Sequence, residues 1–157
     1  MNDYEKLLIE VEPKGIQVYE EDLYTSKECG YCIGDTIIIN SNMNNTQKKC
    51  VLAEEIGHYK LTVGDISKLK TVNDKKQELK ARRWGYKHIV SLERIIEAIE
   101  CNCINRYEIA EYIGITDKYF EECINDYKKQ YGVSIAYGKY VFMFEPTFSL
   151  YINFEWS

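Results

Sequence analysis

The chain has 157 residues, and 25 acidic against 20 basic side chains give a formal net charge of −5. That balance lacks the basic footprint of a dedicated nucleic-acid binder, and no apolar run approaches the length needed to span a bilayer. Met1-Asn2-Asp3-Tyr4-Glu5 also lacks the basic-then-apolar layout of a signal peptide, so a cytoplasmic protein is expected.

The length fits one domain over 1–157, with a core at 1–90, a helical segment at 91–132 and a β tail at 133–157. Leu7, Leu8 and Val11 share one side of a short helix over residues 3–11, stopped by Pro13 and Gly15. Ile16-Gln17-Val18-Tyr19 reads as a short strand. Six cysteines are present, but nothing suggests secretion, so a disulfide framework is not expected. Cys29-Gly30-Tyr31-Cys32 and Cys101-Asn102-Cys103 sketch a four-thiolate zinc site. The plainer reading is preferred: Cys29 and Cys32 flank a turn ahead of a strand, and Cys50 and Cys123 fall at apolar helix positions. Thr36 to Asn40 is the clearest strand of this half, and the polar turn Ser41 to Thr46 supplies helix caps.

An amphipathic helix follows from Asn45 to Val63. At about 100° per residue, Ile56, Tyr59 and Val63 fall within a narrow arc of Leu52. Glu54 and His58 lie one above the other on nearly the opposite side, with Glu55 at their edge. The segment Leu52-Ala53-Glu54-Glu55-Ile56-Gly57-His58-Tyr59 is thus E-E-x-x-H, one substitution away from the zinc-protease pattern H-E-x-x-H. In that pattern two imidazoles a turn apart hold the metal, and the glutamate between them is the general base. Glu54 is either an exchanged ligand or part of the solvated face of an ordinary helix.

Val63-Gly64-Asp65 ends this helix, and Ser67 to Asp74 reads as a loop. A second helix from about Asp74 to Val90 places Ala81, Trp84, Gly85, His88 and Ile89 on its apolar side. Glu78 sits at the margin of that side, with the small residues Ala81 and Gly85 further along it. A carboxylate beside a packing face needs a cation or hydrogen-bond donors. Lys75, Lys76, Lys80, Arg82 and Arg83 read as a solvated face, and His88 as a satisfied core histidine.

Ser91 caps a third helix carrying Leu92, Ile95, Ile96 and Ile99. Arg106 to Tyr131 then reads as helix, turn, helix: Ile109, Ala110 and Ile113, the turn Gly114-Ile115-Thr116, then Phe120, Cys123, Ile124, Tyr127 and Tyr131, ended by Gly132. The second of these helices exposes Asp117, Glu121, Glu122 and Asp126 beside Lys118, Lys128 and Lys129. Carboxylates there would repel phosphates, so packing is expected and DNA contact is not. Val133 to Tyr137 and Tyr140 to Phe144 flank Gly138-Lys139 as a hairpin, and Phe148 to Phe154 alternates as a further strand beyond Pro146.

The chain resembles the ImmA/IrrE family of metallo-endopeptidases, above all its short phage and mobile-element versions. Two segments carry the resemblance: Leu52 to Tyr59, and Gln77-Glu78-Leu79-Lys80-Ala81-Arg82-Arg83-Trp84-Gly85-Tyr86. In the family the second element is a glutamate, two residues, an alanine, two residues, an aromatic and a small residue, and its glutamate is the third metal ligand. That implies Glu78. The implied fold is α+β and zincin-like, with a small β-sheet packed on the motif helix, a helix-turn-helix-like C-terminal part and a short β tail. The implied activity is site-specific cleavage of a helix-turn-helix repressor encoded nearby, releasing genes of a prophage or integrative element.

On this reading Glu54, His58 and Glu78 hold Zn2+ with a fourth position open, and Glu55 is the catalytic general base. Two carboxylates neutralise the metal's charge, which predicts slower chemistry or a taste for manganese or iron. Asp65, just past the helix end, is a variant ligand in place of Glu54 or Glu78. The Thr36–Asn40 strand is expected to offer an exposed edge to which an extended substrate adds. Tyr59, Tyr86 and the tail aromatics are candidates for stabilising the oxyanion. The competing reading keeps the fold and loses the chemistry: a degenerate member that binds a repressor, or another partner, without cutting it.

Overall fold

A computed structural model of the chain describes residues 1–23, 29–62 and 72–153. Helix α1 (Asp3–Val11) begins where Asn2 and Glu5 exchange backbone and side-chain hydrogen bonds in a reciprocal cap. It runs into a 3-10 turn at Glu12–Lys14, which Gly15 closes with a positive φ of 81°.

Three strands follow: β1 (Gln17–Glu21), β2 (Gly30–Ile33) and β3 (Thr36–Asn40). β1 lies parallel to β3 on one side, and β2 lies antiparallel to it on the other. The edge role expected for Thr36–Asn40 is therefore overturned, because β3 is the central strand. Its Ile37 and Ile39 are wholly buried, and an apolar strand of that kind is more stable with both sides paired than as an open edge. Among the described residues β1 and β2 are the outer strands instead. The residues between Cys29 and Cys32, expected to form a turn, belong to β2 together with Cys32, and the turn comes later at Gly34-Asp35.

Helix α2 (Asn45–Thr62) packs one side on β2 and β3 and another on α3 (Val72–Ile89). Leu52 and Ile56 are fully buried, as the periodicity requires, and so is Ala53 on the side toward α3. A Cβ on Gly57 would overlap the carbonyl of Ala81, 2.9 Å from its carbon and nearer still to its oxygen. The two helix backbones therefore touch with no side chain between them. One turn on, a Cβ on Gly85 would stand 2.8 Å from the Tyr119 hydroxyl and 3.5 Å from Ala53.

Helices α4 (Leu92–Glu100), α5 (Arg106–Ile113) and α6 (Asp117–Tyr131) complete the helical part. Gly114 ends α5 in the left-handed region at φ 80°, and the Thr116 hydroxyl caps α6. This turn is tied back to the motif helix. The Lys49 ammonium of α2 donates to the Ile113 carbonyl at the end of α5, and Cys50 lies against the Thr116 hydroxyl. Burial pushes the Lys49 pKa down. The Asp3 carboxylate of α1 lies against Gly114, where a Cβ would displace it.

Two side chains depart from the sequence expectation. Asp126, expected on the solvated face of α6, is only 5% exposed, because Arg83 of α3 reaches both its carboxylate oxygens at 3.0 and 3.2 Å. His88, expected in the core, is exposed, stacked on Trp84 and 2.6 Å from the Glu10 carboxylate. Removing one partner from a buried pair leaves the other unneutralised, although Arg83 keeps partial contact with water. Asp126→Ala is accordingly expected to cost about 2 kcal/mol and to lower Tm by roughly 4–8 °C. A thermal melt within a degree of wild type would show that the pair contributes nothing.

The tail forms a second sheet, β4 (Ser134–Tyr137), β5 (Tyr140–Met143) and β6 (Ser149–Ile152), antiparallel throughout, with Gly138 at φ 56° in the hairpin turn. Phe142 and Phe144 are buried, and the ring of Phe148 meets Phe120 of α6 edge-on at 5.7 Å. One hydrophobic cluster runs from Tyr4 to Phe144. Among the described residues no helix is long and apolar enough to cross a membrane.

Candidate metal centre

The bare contact between α2 and α3 sets the geometry of the polar cluster at its margin. Glu54 and His58 project from successive turns of α2, and Glu78 projects from α3 across the seam. One donor atom from each of the three lies within 4.8 Å of the others. His58 Nε2 is 3.3 Å from Glu78 Oε1. Donors in a tetrahedral zinc shell with bonds of about 2.0–2.2 Å stand about 3.3–3.6 Å apart. That pair is therefore already spaced as two corners of such a shell. Glu54 and His58 are half-buried and Glu78 is exposed, so one side of the cluster stays open to water and substrate. An imidazole and two carboxylates are a donor set that suits zinc and also tolerates harder divalent ions.

Glu55 is 9% exposed. Together with Glu54 it lines a cleft of about 420 Å³. The opposite walls come from the start of β2 at Cys29 and Gly30, from Arg82 on α3, and from Lys118, Tyr119 and Glu122 on α6. A Cβ on Gly30 would stand 2.8 Å from Val51 of α2. Glycine here lets the edge strand lie directly on the motif helix, one turn before Glu54 and Glu55. The structure thus places the start of β2, an outer strand of the sheet among the described residues, beside the two glutamates.

Asp65, the variant ligand, lies outside the described residues. The cysteines do not form a metal cluster among the described residues, and all six are free thiols. Burial, with the Glu55 and Asp35 carboxylates adding to it, pushes the Cys32 thiol up to about 11. Tyr86 is buried edge-on against Tyr119 at a ring distance of 5.2 Å, and Tyr59 is half-buried. Phe142 and Phe144 belong to the core.

Sequence reasoning passed over one residue. Arg82 is exposed, as expected, and its guanidinium Nε also lies 3.4 Å from Glu54 Oε1. The signal was its spacing: Arg82 follows Glu78 by one helical turn, so both side chains leave the same face of α3 toward α2.

Comparison with known families adds one finding. The family model described as the IrrE N-terminal-like domain matches residues 11–133, a span that holds Glu54, Glu55, His58 and Glu78. No curated protein and no solved structure matches the chain.

Proposed function

The chain belongs to the ImmA/IrrE family of metallopeptidases, and from that premise we propose that it is a zinc-dependent endopeptidase making a site-specific cut in a helix-turn-helix repressor of a phage or mobile element. The observation that carries this reading is the convergence of Glu54, His58 and Glu78 donors within 4.8 Å beside a buried Glu55. Zinc in that shell would polarise the scissile carbonyl and acidify the attacking water. Glu55 then accepts the proton of that water and delivers it to the leaving amine nitrogen, so that one carboxylate serves as base and acid in turn.

An extended stretch of the substrate adds to the outer edge of β2 by main-chain hydrogen bonds, which lays a peptide bond along α2 above the donors. β2 takes the place first assigned to Thr36–Asn40. A repressor substrate implies action in the cytoplasm, and the acidic α6 surface suits a protein partner better than a phosphate backbone.

The experiment is incubation of the native protein with the neighbouring repressor, with and without chelator, followed by fragment masses and by metal analysis of the protein. Stoichiometric zinc and one chelator-sensitive cut are expected. A protein that carries no divalent ion and leaves the repressor whole in the presence of added zinc, manganese or iron would refute the proposal.

A further inference from the structure

A charge imbalance at the donor cluster has a specific answer in the fold. A site built from two histidines and one glutamate carries a single negative charge, whereas Glu54, His58 and Glu78 carry two, with the Glu55 carboxylate close by on the same helix. Like charges so near one another favour splayed side chains, and a ligand that must be drawn in from solvent binds metal weakly. Arg82 meets this problem where it arises. Its Nε stands 3.4 Å from Glu54 Oε1; the Arg82 side chain is exposed and that of Glu54 is half-buried. The guanidinium leaves α3 one turn beyond Glu78, on the side facing α2, and it also forms part of the cleft wall.

We propose that Arg82 is the positioning residue of Glu54. It engages one carboxylate oxygen, keeps the side chain in the donor cluster, and returns the local charge to the value that a neutral imidazole at position 54 would give. Glu54 and Arg82 then act as one unit, carboxylate plus guanidinium, in place of a single histidine. Carboxylates that bind metal are commonly held in this way by a hydrogen-bonding partner behind them. The inference rests on the metallopeptidase reading of the same site.

The test is zinc affinity, by competition with a chromophoric chelator, for the full-length wild type, R82Q, R82K, E54H and E54H/R82Q. R82Q is expected to bind zinc roughly 10-fold or more weaker than wild type, with the melting temperature of the zinc-free protein unchanged. R82K, which keeps the charge, should recover part of that loss. In the E54H background the same R82Q change should have no effect beyond about threefold, because the guanidinium has lost its partner. R82Q binding equal to or tighter than wild type would overturn the proposal, since Arg82 would then be idle or a competitor for Glu54. An equal loss in the E54H background, or no recovery with lysine, would overturn it as well. Wild-type protein that takes up no divalent ion would have a different signature and would remove the metallopeptidase reading together with this inference.

Discussion

Replacing Glu55 by Gln is expected to lower repressor cleavage by about 10²–10⁴-fold, the usual worth of a positioned general base, while zinc content and repressor binding stay at wild-type levels. Glutamine keeps the shape of the side chain at this 9% exposed position and removes its charge and its ability to take a proton. It thereby withdraws a negative charge from beside the half-buried Cys32 thiol. Cleavage rate, metal content and partner binding should be measured on one preparation. A catalytically degenerate member that only binds its partner would behave like wild type in all three, and that outcome would decide against an enzyme.

Gly57→Ala is expected to damage the same site from behind. The added methyl would meet the Ala81 carbonyl at well under contact distance, and neither helix can yield a backbone atom without moving as a whole. Overpacking of this kind costs about 1–3 kcal/mol. The larger effect is on the donors. Separating α2 from α3 moves Glu78 away from Glu54 and His58, whose convergence depends on that contact. Zinc affinity should fall by roughly tenfold or more, the scale seen when metal ligands lose their supporting contacts. Ala81→Gly in the same chain should not rescue it, because the obstacle is main chain. A G57A protein with wild-type melting temperature and zinc affinity would show that the close approach is not needed.

The sequence was most legible where its information is local. The direction of Glu54, Glu55 and His58 follows from helical periodicity around Leu52, and the structure keeps Leu52 and Ile56 buried with the two donors on a more open side. Glu78 could be suspected from the small residues Ala81 and Gly85, whose role as a close helix contact is visible only in three dimensions. Strand order was not legible in the same way. Gly30–Ile33 is four residues long and lacks a strong apolar signal, so β2 went unseen and β3 was taken for the edge. Adjacent arginines posed a similar problem. Arg82 and Arg83 differ by one position, yet a rotation of about 100° sends one to Glu54 and the other to Asp126. Which acidic partner each would find depended on how α2 and α6 pack around α3, and no window of sequence contains that.

The link from Lys49 to the Ile113 carbonyl bears on how such a chain can be recombined. The helix that presents the donors also supplies the cation that closes α5, and α1 contributes Asp3 against Gly114 in the following turn. A crossover between α3 and α4 that joined this N-terminal half to a foreign helical half would orphan a buried lysine on one side and leave the end of α5 open on the other. The helix-turn-helix-like pair is thus coupled to the motif helix as one packing block, held at Lys49, Asp3 and Gly114.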